Sequence, residues 1–270
     1  MVSVNLKGGL GNMLFQIAFI EDMARRGGFE VRYPDIDYVF QTLLKSGHSQ
    51  NCYDYLKIFK NFDWLKNQDK PMPNRICHIP YKYVNLTPTD NVIYDGYFQS
   101  ERYFDRKETL KLFEPADFIK EKLPFRTMPG VTSVHVRRGD FLNPQEININ
   151  LGMDYYWKAY DMIMDAMRDN TDSYLFFKRV FTFKVFSDDY VWCKERFDGF
   201  SFYDKEPIDY IELFWMSMCE NNIIANSSFS WWGAYLNQNP DKKVIAPAAW
   251  YKPGSGLSAE DVYCKNMIII

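Results

Sequence analysis

In His135-Val136-Arg137-Arg138-Gly139-Asp140, two arginines in a row run straight into a glycine and an aspartate. A guanidinium stays charged at any working pH and presents a planar fork that matches phosphate oxygens, so the pair suits a diphosphate. The alternative pairs one Arg with Asp140 and leaves the rest a turn. Phe186-Ser187-Asp188-Asp189 sets carboxylates where they accept from a ribose hydroxyl or a guanine edge, hold a metal, or merely cap a helix. Asn226-Ser227-Ser228-Phe229-Ser230-Trp231-Trp232-Gly233 groups hydroxyls and an amide where a helix starts, and the free N–H groups there attract phosphate. The alternative is a capping cluster with both tryptophans in the core. Lys7-Gly8-Gly9-Leu10-Gly11-Asn12 is a glycine-rich loop opening a helix, without GxGxxG or Walker spacing, and is a tight turn at the least.

Together these motifs supply phosphate donors without a Walker lysine or a metal-ligand cluster. That combination predicts a nucleotide diphosphate leaving group stabilised by Arg and helix N-termini. It is transferase chemistry, because departure of the diphosphate builds negative charge that fixed donors stabilise.

Composition narrows the field. A net charge of −3 over 270 residues argues against a nucleic-acid partner, which needs a clustered basic excess. The five cysteines (Cys52, Cys77, Cys193, Cys219, Cys264) form no CxxC pair, which favours reduced thiols, and three histidines (His48, His78, His135) give a metal site little support. The 18% aromatic content fills cores and leaves faces for a sugar cleft. The N-terminus shows no basic segment followed by an apolar one, and no stretch approaches about 18 consecutive apolar residues. The expected location is therefore cytoplasmic, at most peripheral to membrane glycan synthesis. Nothing in the sequence sets an oligomeric state.

The elements that position the motifs follow from periodicity. Val2 and Val4 alternate as a strand, and helical apolar spacing then runs from Met13 to Arg25, with Asn12 near its start. Residues 35–90 read as short strands and loops. A strand at 92–94 leads through Asp95-Gly96-Tyr97-Phe98-Gln99-Ser100 into a helix. From Pro129-Gly130 the pattern alternates: strand 131–136, helix 155–167, strand 182–186, helix from Tyr190, helix 208–219, strand 222–225, helix start 226–232 and strand 243–246. This predicts an α/β chain with a first domain over 1–128 and a Rossmann-like parallel-sheet domain over 129–270. Ligands of such sheets bind at the carboxyl ends of the strands, where three of the polar motifs fall.

In this order, Gly8-Gly9-Leu10-Gly11-Asn12, His135-Val-Arg-Arg-Gly-Asp140, Phe186-Ser-Asp-Asp189 and the block 224–234 resemble the α-1,2-fucosyltransferases of glycosyltransferase family 11. Asp95-Gly96-Tyr97-Phe98-Gln99-Ser100-Glu101 and Val244-Ile-Ala-Pro247 resemble lesser blocks of that family. The resemblance implies a GT-B-like fold of two Rossmann-type domains, with GDP-β-L-fucose as donor. It also implies inversion to an α-L-fucoside without a metal or other cofactor, and a galactose-terminated acceptor docked against the first domain, with the GDP-sugar on the second. Within it, Arg137 holds the β-phosphate, with His135, Arg138 and Asp140 lining the pocket. Asp188 or Asp189, beside Ser187, reads guanine or ribose. Ser227 and Ser228 assist the phosphates, flanked by Asn226 and Phe229, and Gly9, Gly11 and Asn12 approach the donor from the first domain. Where the family usually carries Gln after Asn12 this chain has Met13, which removes a polar contact, and the membrane anchor of animal members is not in this sequence.

An inverting transfer needs a carboxylate or His near the attacking hydroxyl, or a leaving group good enough to dispense with one. Asp140 and Glu146 are the candidates, Glu146 on a loop beyond Pro144 that leaves it free to move. Two other readings stand beside this one: transfer of another GDP-linked sugar such as mannose, and a non-catalytic carbohydrate-binding protein using Tyr81, Tyr83, Tyr97 and Phe98. The Arg pair speaks against the second, since neutral sugars need no such charge.

Overall fold

The computed structural model describes residues 1–47, 49–123, 128–169, 181–203 and 208–270, so His48 lies outside the described residues. The chain divides into two compact units, Met1–Lys120 with Ser258–Cys264 and Glu121–Leu257 with Lys265–Ile270.

In the first unit β1 (Val2–Val4), β2 (Arg75–His78) and β3 (Val92–Asp95) form a parallel sheet in the order β1-β3-β2, and Val31 adds a parallel bridge to Val2. After β1 the chain turns through Gly8, whose φ of 75° favours glycine and where a Cβ would run into the Asn12 side chain. Helix α1 (Leu10–Gly27) follows. It buries Met13, Leu14, Phe15, Ile17, Phe19, Ile20 and Met23. Phe19 stacks on Phe98 with centroids 3.8 Å apart and meets Tyr94 edge-on, which fixes the helix to β3 and the segment after it. Helix α2 (Ile36–Ser46) lies in the stretch read from sequence as strands and loops. Its buried Ile36, Val39, Phe40 and Leu43 have helical spacing, and the Asp35 side chain caps it by accepting the Tyr38 N–H. The helix expected soon after Ser100 begins as a 3-10 turn, and only then come α3 (Arg106–Leu112) and α4 (Asp117–Lys120).

The second unit is built on β4 (Met128–Val136), β5 (Thr182–Ser187), β6 (Ser201–Phe202), β7 (Cys219–Ile223), β8 (Val244–Ala246) and β9 (Met267–Ile269). All pair in parallel in the order β6-β5-β4-β7-β8-β9. The chain works outward from β4 to one edge, returns to lie beside β4, then works outward to the other edge. The order reverses between β4 and β7, the place where doubly wound sheets bind ligands. Helix α5 (Met153–Asp169) packs Tyr156, Ala159, Ile163 and Met167 against Val134, Val136, Val185 and Ile223 of the sheet. Helices α6 (Tyr190–Lys194), α7 (Asp209–Met218) and α8 (Ser228–Leu236) belong to the same unit. Helices α7 and α8 pack closely at Gly233, where a Cβ would lie 2.9 Å from the Met216 Cβ.

Strand β7 starts earlier than the 222–225 expected, because its polar residues are buried and paired. Asn222 Nδ2 donates to Ser133 Oγ (2.7 Å) and to the Met216 carbonyl (2.8 Å), and its Oδ1 accepts from Asn237 (2.8 Å). A domain cut at 128/129 also differs from the units. Ser258–Cys264 belongs with the first, where Asp261 accepts the Tyr83 N–H (2.8 Å) and pairs with Arg102 (3.1 Å). Cys52, Cys77, Cys193, Cys219 and Cys264 are free thiols. Among the described residues no helix is long and apolar enough to cross a membrane.

Candidate functional site

Strands β5, β4 and β7 are neighbours, so the loops leaving their carboxyl ends share one rim of the second sheet. Gly139 lets the first two loops touch, since a Cβ there would sit 2.7 Å from Asp188 Oδ2. The Arg138 N–H donates to Asp188 Oδ1 at 2.9 Å. Between the loops lies the Arg137 guanidinium, Nη2 2.8 Å from Asp140 Oδ1 and Nη1 3.1 Å from Asp188 Oδ2. All three groups are partly solvated, so the ion pairs add little stability and act by fixing the guanidinium's position.

The two arginines divide their work. Arg137 keeps 29% of its side chain exposed at the rim, whereas Arg138 keeps 13%. Arg138 is committed to the framework, with Nε 3.1 Å from Asp189 Oδ2 and its guanidinium 3.9 Å from the Trp192 ring centre. Asp189 also caps α6, where the sequence offered Asp188 or Asp189 to guanine or ribose and a helix cap as the alternative. Its Oδ1 accepts the Trp192 N–H at 3.0 Å, while its own N–H donates to Ser187 Oγ at 2.9 Å. The Trp192 N–H, followed by Arg138, holds this carboxyl below its ordinary range. Asp188 is left to face Arg137. Among the described residues no group of three or more His, Cys, Asp or Glu is placed to hold a metal ion.

His135, on β4, is buried with its ring centre 5.5 Å from that of Phe229. Burial, and then the charge of Arg137, pushes its imidazole down to about 3, so it is a neutral wall of the site. Ser227 caps α8 by accepting the Phe229 N–H at 3.3 Å, and Ser228 stands half-buried beside it. Ser230 turns inward to the Ala225 and Ser227 carbonyls, and Trp231 and Trp232 are core. The Asn226 amide, expected as a phosphate donor, is not available. Its Nδ2 donates to the Ile149 carbonyl at 2.9 Å and to the Trp250 carbonyl at 2.7 Å, strapping two loops to the start of α8.

Glu146 is half-buried, and its carboxylate has no polar partner among the described residues. Its loop is not free. Asn148 bridges Tyr251, the Ile149 N–H donates to Trp250 (3.3 Å), the Lys252 N–H donates to Ile147 (2.7 Å), and Lys252 Nζ reaches the Pro144 carbonyl (3.1 Å).

One group near the site carries no motif. Glu212 of α7 is buried and accepts from the Tyr190 hydroxyl at 3.0 Å, and Tyr190 directly follows Asp189. Burial pushes its carboxyl up to about 7. The signal in the sequence was a glutamate inside an apolar helix, between Ile211 and Leu213.

On the first unit, Gly9 caps α1 and its carbonyl accepts the Asn12 and Met13 N–H groups (3.0 and 3.1 Å). Gly11 is buried in the first turn, and Asn12 Oδ1 accepts from Gln99 at 2.8 Å. Met13 is core. The polar anchor of the loop is Gln16, which is buried and bonded to the Lys7 backbone (3.0 and 3.3 Å) and to the Gly96 carbonyl (3.3 Å).

Comparison with known proteins extends this geometry. The chain is 30% identical to an alpha-1,2-colitosyltransferase of Escherichia coli over 93% of each chain. It is 40% identical to the O-antigen biosynthesis glycosyltransferase WbnK of Escherichia coli, over 45% of this chain and 39% of that protein. It is 24% identical to the mouse galactoside 2-alpha-L-fucosyltransferase Sec1, over 94% of this chain and 72% of that protein. Among solved structures, the fucosyltransferase NodZ from Bradyrhizobium superposes with a TM-score of 0.50 at 11% identity, covering 86% of this chain and 92% of that one. That likeness concerns the fold: two Rossmann-type parallel-sheet domains in the GT-B-like class expected from the sequence. The model of glycosyl transferase family 11 matches residues 4–270, which takes in both units and every motif loop, and the chain belongs to that family.

Proposed function

We propose that this family 11 enzyme moves L-fucose from GDP-β-L-fucose to the 2-hydroxyl of a terminal galactoside, with inversion and without a metal. The observation that carries the reading is Arg137, held by Asp140 and Asp188 at the switch point of the sheet and still open to solvent. A diphosphate oxygen that gains charge as the sugar leaves needs a donor already in place, and a clamped guanidinium is such a donor. Ser227, Ser228 and the free N–H groups of α8 add donors on the neighbouring strand end. Asp188 takes the ribose or guanine edge, while Arg138, Asp189, Ser187 and Asn226 keep the loops in register. His135 stays neutral beside Phe229 and adds no competing charge. Glu146 receives the acceptor's proton, and Asp140 orients Arg137.

The colitosyltransferase relative, aligned over 93% of both chains, favours a second reading in which the sugar is colitose. Colitose lacks one hydroxyl of fucose, and a site built to bond that hydroxyl rejects the analogue by about 10⁴–10⁵. The experiment is a donor panel of GDP-fucose, GDP-colitose, GDP-mannose and UDP-galactose, each offered with β-galactosides. Transfer from GDP-fucose above all others supports the proposal. Preference for GDP-colitose selects the second reading, and transfer only from UDP-galactose overturns both.

A further inference from the structure

Arginines from two segments of the first unit meet at the end of α1 away from the glycine-rich loop. Arg25 lies about 20 Å along the helix from Asn12. A cavity of about 230 Å³ opens there, and its lining includes Asp22, Arg25, Arg26, Tyr83, Arg102 and Asp105. Liquid water takes about 30 Å³ a molecule, so the cavity holds several waters or one small molecule.

Each guanidinium is held in place. The buried Asp22 carboxylate lies 2.6 Å from Arg25 Nη2 and 2.8 Å from Arg26 Nε, and it accepts the Asp105 N–H at 3.3 Å. Arg102 comes from another segment. Its Nη1 lies 3.1 Å from Asp261 Oδ1, and its guanidinium is 3.7 Å from the centre of the Tyr83 ring, which packs on Tyr103 at 4.8 Å. Cations in a last helical turn answer the helix dipole, which accounts for Arg25 and Arg26 but not for Arg102 or the cavity.

The lining has donors to spare, while its acceptors are largely taken. Asp22 is filled by the bonds above, and Asp105 Oδ1 accepts the Glu108 N–H at 3.0 Å to cap α3. A guanidinium carries several N–H donors and no acceptor, and the bonds above leave most of them unused on Arg25 and Arg102. The carboxylates of Asp22, Asp105 and Asp261 balance the three cations, so fixed geometry and not surplus charge selects the ligand. An acceptor-only group with oxygens in an array fits such a wall, and a phosphate is that group.

We infer that this cavity binds the phosphate group of a small phosphate ester between Arg25, Arg26 and Arg102, residues that belong to none of the motif loops.

Calorimetric titration of the full chain with glycerol 3-phosphate, and separately with inorganic phosphate, tests the site. Pelleting with phosphatidylcholine vesicles that carry phosphatidic acid separates a lipid headgroup from a free ester. Wild type, Arg25→Gln, Arg102→Gln and Arg137→Ala are compared, each checked for cooperative melting. The Arg25 and Arg102 side chains are at least half-exposed, so removing either charge costs little stability. Losing a hydrogen bond to a charged group costs about tenfold or more in affinity. The expected result is glycerol 3-phosphate binding, tighter than that of inorganic phosphate, weakened by that factor in Arg25→Gln and Arg102→Gln and unchanged in Arg137→Ala. Binding to the vesicles alone, lost in the same two variants, supports the site and makes the ester a lipid. Binding that only Arg137→Ala loses belongs to the donor loops and overturns the inference. Equal binding by all four proteins, or none by the wild type to any of the three probes, overturns it as well.

Discussion

Replacing Glu212 by glutamine should stabilise the protein by an amount that grows as pH rises from about 4.5 to about 7 and stays constant above. Burial pushes this carboxyl up to about 7 from an ordinary 4.5, the charges of Asp209 and Asp188 add to the rise, and the Tyr190 hydrogen bond opposes it. Between those values the folded protein keeps a proton that the unfolded chain has released. Stability therefore falls as pH rises through the window, and the full penalty is present above about 7. At about 1.4 kcal/mol per pH unit, the gap sets an upper bound on the order of 3 kcal/mol. Glutamine keeps the oxygen that accepts from Tyr190 and cannot ionise. Urea unfolding of both proteins at several values from pH 4 to 8 should give stabilities that lie close at the acid end, separate between about pH 4.5 and 7 and stay apart above it, the variant being the more stable. A difference that stays constant across that range, or a wild type that gains on the variant as pH rises, would refute the assignment of a buried, proton-bearing carboxyl.

Arg137→Lys should lower turnover by roughly 10²–10³, because an ammonium cannot reach Asp140 and Asp188 together and lacks the fork. Steady-state transfer near the wild-type rate would remove Arg137 from the phosphate. Asn226→Asp loses both donors to Ile149 and Trp250 and buries a carboxylate against carbonyls, so it should destabilise by about 3 kcal/mol or more in urea titration. Wild-type unfolding would return the amide to the ligand. Glu146→Gln should cut transfer by roughly 10²–10⁴ at unchanged GDP affinity, whereas Asp140→Asn should weaken GDP binding and turnover together. The reverse pattern in paired calorimetry and transfer assays makes Asp140 the base.

Where the sequence was legible, local pattern and tertiary context agreed. The motifs at 137–140, 187–189 and 226–228 follow strands of one sheet, and parallel pairing brings them to one rim. Helix α2 was hidden because the exposed Tyr38 and the charged Asp37 and Lys45 dilute the spacing of Ile36, Val39, Phe40 and Leu43. Strand β9 is a short apolar run at the chain end, too short for periodicity to mark it as a strand. Strand β7 was misplaced because Asn221 and Asn222 read as loop residues. In the fold they are buried and bonded, Asn221 Oδ1 accepting the Lys243 N–H at 2.8 Å. The roles of Arg138 and Asn226 were illegible for another reason. Residue type shows what a side chain can donate, but only the fold shows which acceptor reaches it first. For Arg138 that acceptor is Asp189, and for Asn226 it is a pair of backbone carbonyls.

The central claim is that fixed protein donors, with Arg137 foremost, provide the counter-charge for a nucleoside diphosphate at the rim of β5, β4 and β7. Calorimetric titration of GDP in EDTA, with wild type and Arg137→Ala side by side, tests it most directly. The account predicts wild-type binding at low micromolar to submillimolar concentration without divalent metal, and a loss on the order of tenfold or more in the variant. Binding that appears only with Mg²⁺ or Mn²⁺, or equal affinity in the two proteins, would contradict it.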